Sequence, residues 1–198
     1  MMSTATLRLS INGTLFDWMN DDIAGRVTFV DSVMKFFAQY GIYVIVALLA
    51  ASWFIRAGMG EQRRIAVYSA LVSACIALAI TLMIQRVYDH PRPFVDRTDY
   101  VLLMRHAADS SFPSEHATAA FAIAAGAGLY RQRLGILMLL IACVIAFSRV
   151  YVGVHYPADV GAGAAIGVVS AFAVWLARPL FSWADRTIVR RLVPSFLL

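Results

Sequence analysis

Six side chains have the types and spacing to hold and break a phosphate ester. Arg92 and Arg149 are planar forks whose paired donors match phosphoryl oxygens. His116 and His155 can share acid–base and nucleophilic work near neutral pH. Asp159 follows His155 by four residues, just past Pro157. From there it can hold the imidazole N–H and fix its tautomer, the logic of a nucleophile and its orienter. Ser114 adds a hydroxyl, and Pro113 fits the first turn of a helix whose free N–H groups would face an anion.

These residues lie far apart in the chain, so some framework must gather them. Uncharged runs cover Phe36–Ile55, Ile65–Gln85, Ala117–Tyr130, Leu134–Ser148 and Val160–Ala177. A membrane-crossing helix needs roughly 17–25 residues. The first, second and fifth runs suffice alone; the third and fourth suffice if they begin near Ser114 and end near Tyr151. Segments in hydrocarbon must satisfy their own backbone hydrogen bonds, so Ala/Leu/Ile-rich runs predict helices. The expected fold is therefore all-α: one membrane-embedded bundle over residues 1–198 with about five transmembrane helices. Residues 1–25 and 181–198 mix apolar and polar groups and predict interfacial helices at the two ends.

Composition agrees. The chain of 198 residues is 61% hydrophobic and 15% charged, too much apolar surface to bury in a water-soluble domain of this size. Its net charge of +5 comes from scattered arginines and one lysine, Lys35, with no basic stripe, which argues against nucleic acid as a partner. Cys75 and Cys143 sit inside apolar runs and read as small hydrophobes; no disulfide framework, metal-ligand spacing or cofactor motif is present. The N-terminus lacks the pattern of a cleaved signal peptide.

Five crossings place the loop 86–115 and the connection after Ser148-Arg149 at one face, where all the phosphate-type residues then meet. The other face carries Arg56, Arg63, Arg64, Arg131, Arg133, Arg178, Arg186, Arg190 and Arg191 against Glu61 and Asp185. The positive-inside rule puts that face in the cytoplasm and the polar clusters outside. Gly163 and Gly167 form a GxxxG on the last helix, suited to close packing within the chain or to an oligomer contact.

The pattern Pro113-Ser114-x-His116 followed by Ser148-Arg149-x5-His155-x3-Asp159 resembles the signature of the type 2 phosphatidic acid phosphatase superfamily, and Arg92-Pro93 matches the end of its first motif. The short length, Arg92-Pro93-Phe94 and the acidic Glu115 inside the Pro-Ser-x-His resemble the bacitracin-resistance type of undecaprenyl diphosphate phosphatase. One position departs: Gln85 stands where the family's first motif begins with Lys. The resemblance implies that His155 attacks phosphorus to form a phosphohistidine, that His116 protonates the leaving oxygen and then activates water, and that Asp159 steadies His155. It implies a phosphate cradle of Gln85, Arg92, Ser114, Ser148 and Arg149, with Glu115 beside it, and no metal or cofactor. The implied setting is a bacterial inner membrane with the site facing outward, acting on a lipid phosphate. Undecaprenyl diphosphate is the first expectation; phosphatidylglycerophosphate, phosphatidic acid or a lipid A phosphate is the alternative, and a non-catalytic lipid binder or translocator a third.

Simpler roles also have expectations. Ser148 can bond a backbone carbonyl, and Ser114 can be a plain N-cap. His90 and His106 lie off the motifs and read as solvated loop residues. Glu115 can pair with Arg97 or Arg105. Tyr40, Tyr43, Tyr88, Tyr151 and Tyr156, with Trp53, Trp175 and Trp183, read as aromatic belts.

Overall fold

The computed structural model describes residues 11–54, 60–179 and 183. Its elements are α1 (Ile11–Met19), α2 (Thr28–Phe54), α3 (Gly60–Val87), the single turn α4 (Pro93–Asp96), α5 (Glu115–Gly128), α6 (Gln132–Tyr151) and α7 (Pro157–Leu176). No strand occurs among the described residues.

Four helices are long and apolar enough to cross a membrane, over Thr28–Trp53, Gln62–Val87, Gln132–Tyr151 and Pro157–Leu176. Their outward faces expose Tyr43, Val46, Leu71, Ile80, Met83, Leu140, Val169 and Phe172, an exterior matched to hydrocarbon. The fifth expected span differs. Helix α5 has 14 residues, about 21 Å at 1.5 Å per residue, less than the roughly 30 Å of hydrocarbon. The reason is its place: α5 is the central helix, packed against α2, α3, α6 and α7. Protein insulates it, so its ends need not reach the headgroups.

Small side chains make that burial feasible. Ala117, Ala119, Ala120, Ala122, Ala124 and Ala127 on α5 are all buried. A Cβ at Gly163 would sit 2.7 Å from the Ser114 carbonyl oxygen, and one at Gly167 would sit 2.6 Å from that of Thr118. The Gly163–Gly167 stripe of α7 is thus filled by α5, the within-chain packing of the two that the sequence allows. Gly161, by contrast, faces open space.

Helix α1 is two-faced, as its sequence predicts, but its inner face covers protein. Phe16 is fully buried with its ring 5.4 Å from that of Tyr156, while Ile11 is 82% exposed. Just after it, buried Asn20 donates to the carbonyls of Val101 (2.8 Å) and Tyr151 (2.7 Å) and accepts from the Val101 amide (2.7 Å). One amide thereby ties the long loop to the end of α6. Tyr151 and Tyr156 are buried and leave the expected belt; the Tyr151 hydroxyl donates to Asp31 at 2.7 Å. Tyr40, Tyr43 and Tyr88 are exposed, as a belt requires. The predicted interfacial segment 181–198 lies outside the described residues except for Trp183.

The close contact between α5 and α7 makes a graded prediction. Gly167→Ala forces backbone apart and is expected to lower stability by about 1–3 kcal/mol, whereas Gly161→Ala changes it by less than about 0.5 kcal/mol. Thermal unfolding of the two variants in detergent checks this; equal shifts would contradict the packing described.

Candidate active site

At one end of the bundle a cavity of about 50 Å³ is lined by Gln85, Arg92, His106, Asp109, Glu115, His116, Arg149 and His155. Each comes from a different place. Gln85 ends α3, Glu115 and His116 open α5, and Arg149 lies in the last turn of α6. His155 sits in the α6–α7 turn, and Arg92, His106 and Asp109 in the long loop. The polar clusters that the sequence assigns to one face do converge.

Local sequence explains how His155 is held. Gly153, at φ +84°, turns the chain out of α6, and a Cβ there would meet the Val101 carbonyl oxygen at 2.5 Å, so glycine is required. Pro157 starts α7 and keeps Tyr156 extended. Asp159, one turn in, accepts the Tyr156 amide at 2.8 Å. His155 is pinned between these two devices and is 2% exposed.

The tautomer follows from its neighbours. Arg92 Nη1 lies 3.2 Å from His155 Nε2. A guanidinium only donates, so Nε2 presents its lone pair and Nδ1 carries the proton. Nδ1 lies 3.3 Å from Ser111 Oγ and 3.5 Å from Asp159 Oδ2. Burial, then Arg149 and Arg92, hold His155 well below the usual histidine range, which keeps the imidazole neutral. His106 is lowered for the same reasons, burial first.

The two arginines are in different states. Arg92 is engaged: Nε donates to Asp109 (2.8 Å), Nη1 to the Val154 carbonyl (2.9 Å) and Nη2 to the Ser110 carbonyl (3.2 Å). Arg149 is 1% exposed, and its Nη1 reaches the Ala38 carbonyl on α2 at 2.8 Å, while Nε and Nη2 have no partner. Two buried cationic donors left open at a cavity wall are what an incoming anion satisfies. Asp109, which burial would raise, is held below the usual carboxylate range by its bond to Arg92.

Several expectations change. The Ser148 hydroxyl donates to the Ile145 carbonyl at 2.7 Å and does not line the cavity, because its place in α6 points it back along the helix. Ser114 precedes α5 as its N-cap residue, yet its buried hydroxyl makes no cap bond and has no partner. Pro113 stands just outside the helix and not in its first turn. Gln85 lines the cavity while its amide donates to the Pro113 carbonyl at 3.1 Å. Glu115 does not pair with Arg97, which is taken by Asp17 and Asp99. His106 is no free loop residue; it lines the cavity with its ring centroid 6.5 Å from that of His155. His90 lies against Tyr88 and Tyr156, away from the cavity.

Sequence reasoning missed Ser111, Asp109 and the position of His106. They occupy irregular loop with no period to assign a face. The only available signal was proximity: Ser111 stands two residues before Pro113 of the motif.

The sequence profile of the PAP2 superfamily matches residues 66–183. The chain is 34% identical over 143 residues to undecaprenyl-diphosphatase BcrC of Bacillus subtilis (strain 168), covering 72% of each protein. It is 29% identical over 191 residues to the bacitracin transport permease protein BcrC of Bacillus licheniformis, covering 93% of this chain and 92% of the relative. Its fold is similar to the crystal structure of Aquifex aeolicus LpxE, with a TM-score of 0.70, 26% identity, and 84% and 96% of the two chains covered.

The neutral histidines set a pH response. His155 and His106 are both lowered from 6.5, so below that pH the unfolded chain binds protons that the folded chain refuses. Their contribution to stability is complete above 6.5 and is lost as pH falls. The unfolding midpoint in detergent is expected to drop from about pH 7 to about pH 5, and His155→Gln should flatten that slope. An identical slope in the variant would contradict the assignment.

Proposed function

The chain belongs to the PAP2 superfamily, and from that premise we propose that it is a membrane undecaprenyl-diphosphatase, converting the lipid diphosphate to the monophosphate and inorganic phosphate. The observation that carries this reading is the meeting at one cavity of His155, whose Nε2 presents its lone pair beside Arg92, and the unpartnered Nε and Nη2 of Arg149. One group attacks phosphorus and the other receives its oxygens.

The steps follow from the residues in place. Nε2 of His155 forms a bond to the terminal phosphorus as the bridging P–O bond breaks. Burial, then Arg149, lower the pKa of His116 to about 3 in the empty cavity. The entering diphosphate's negative charge offsets this and lets His116 take up a proton from solvent, which it then passes to the departing lipid phosphate oxygen. Water then gives a proton back to His116 and attacks phosphorus, and the N–P bond returns its electron pair to Nε2. Arg149, Arg92, the Ser114 hydroxyl and the first amides of α5 hold the equatorial oxygens. Such preorganised donors are typically worth about 10²–10³ in rate each. Asp159 keeps Nδ1 protonated and the ring oriented.

The same reading places the chain in a bacterial inner membrane with the cavity facing outward. Support comes from Arg63, Arg64, Arg131, Arg133 and Arg178, all far from the cavity end of their helices. A prenyl chain stays in the bilayer against the apolar exterior while its diphosphate enters the cavity. The product would return to the cell-wall carrier cycle.

Phosphate release from a panel of prenyl diphosphates, phosphatidylglycerophosphate and phosphatidic acid, in detergent, tests the proposal. Prenyl diphosphates are expected to give the highest kcat/KM, and EDTA to leave it unchanged. His155→Ala should lose at least about 10³-fold, as loss of a covalent nucleophile does. Preference for phosphatidylglycerophosphate would overturn the substrate, and an active His155→Ala the nucleophile.

A further inference from the structure

Beyond the motif residues, Ser111 occupies a place that the reaction itself needs. It is fully buried. Its hydroxyl donates to Asp159 Oδ2 and lies 3.3 Å from His155 Nδ1. The direct path from Nδ1 to Asp159 Oδ2 is 3.5 Å, longer than a normal hydrogen bond. Asp159 Oδ2 is also occupied by the Tyr156 amide at 2.8 Å. The carboxylate is thus held by two donors, and the imidazole meets it mainly through one of them, the Ser111 hydroxyl.

We propose that Ser111 is a positioning residue that links the His155 imidazole to the Asp159 carboxylate. The inference rests on the reading of His155 as nucleophile. Its hydroxyl serves twice: the proton goes to Asp159, and a lone pair accepts Nδ1–H. The chain runs from Nδ1–H through Oγ–H to the carboxylate. When Nε2 bonds to phosphorus and the leaving oxygen takes its proton from His116, the imidazole becomes cationic. No proton leaves Nδ1. The serine oxygen, polarised by its bond to the anion, stabilises that charge, and the ring keeps the rotation that aims Nε2 at phosphorus.

Nothing else in the loop does this work. Ser110, its neighbour, donates to the Tyr88 carbonyl at 3.3 Å and accepts from the His90 amide at 3.3 Å. The Ser111 amide donates to the His90 carbonyl at 2.7 Å. The backbone is therefore anchored independently of the side chain, so Ser111→Ala removes the link without releasing the loop.

The test compares Ser111→Ala, Ser111→Cys, Asp159→Asn and the double variant Ser111→Ala/Asp159→Asn, with His155→Ala in parallel, on a prenyl diphosphate in detergent. Ser111→Ala is expected to lower kcat by about ten- to a hundredfold, the value of a hydrogen bond to a charged partner, with KM within about twofold. Ser111→Cys, a weaker donor of similar size, should fall between wild type and alanine. In the Asp159→Asn background, Ser111→Ala should cost less than about threefold, because linked groups are not additive. A wild-type kcat in Ser111→Ala, an undiminished loss in the Asp159→Asn background, or a loss confined to KM would overturn the proposal. If the alanine variant does not fold, a wild-type kcat in the cysteine variant overturns it equally. A fully active His155→Ala would instead sink the nucleophile on which the proposal rests, whatever the Ser111 variants do.

Discussion

The site depends on how closely α5 can approach α7. Gly163 and Gly167 let the two backbones touch, and the Ser114 amide crosses the gap to donate to the Asp159 carbonyl at 3.0 Å. That bond fixes the first turn of one helix against the first turn of the other. His116 is carried by the first and Asp159 by the second, with His155 just ahead. A methyl group between the helices would change the distance between the two histidines before it changed either residue. The geometry of the candidate site is here a consequence of helix packing, and packing is set by residues with no chemistry of their own.

Electrostatics complete what packing begins. Arg149 is buried with two donors unpaired, an arrangement that costs stability in the empty protein. The cost is returned when phosphoryl oxygens arrive, and because the donors are already fixed, no reorganisation is needed at that moment. Burial and the two guanidinium groups also keep His155 neutral, so on the proposed reading the charges that receive the phosphate also keep the nucleophile unprotonated. Binding and activation are not separate functions of separate residues.

The regular parts of this arrangement were legible in the sequence. Apolar runs gave the long helices, and the spacing of Ser148-Arg149, His155 and Asp159 put a guanidinium, an imidazole and a carboxylate across one helix–turn–helix, where the structure has them. What was hidden lies in two kinds of place. Loop residues such as Ser111, His106 and Asp109 have no period, so their faces depend on tertiary contacts such as the Asn20 clamp on Val101. Helix α5 runs between the same two ends of the bundle as the long helices but is shorter, because an alanine-rich helix enclosed by protein need not match the hydrocarbon thickness. Ser148 shows the converse: of its two expected roles the structure displays the backbone bond, since motif membership does not decide where a hydroxyl points when a helix carbonyl is within reach.

Gln85 marks where this chain departs from its family, and the charge pattern around it gives the departure a physical setting. The cavity already holds Arg92 and Arg149, with Asp109 and Glu115 at its wall. With no anion bound, two cations face two carboxylates, and one of those carboxylates is bonded to Arg92. A lysine at the end of α3 would add a third cation to a confined space and tighten phosphate binding, product included. A neutral amide bonded to the Pro113 carbonyl instead supports the backbone that leads into α5. It leaves Arg149 as the main open cationic donor. On the proposed reading of the cavity as a phosphoryl site, a neutral residue here lowers the positive charge that both substrate and inorganic phosphate would meet.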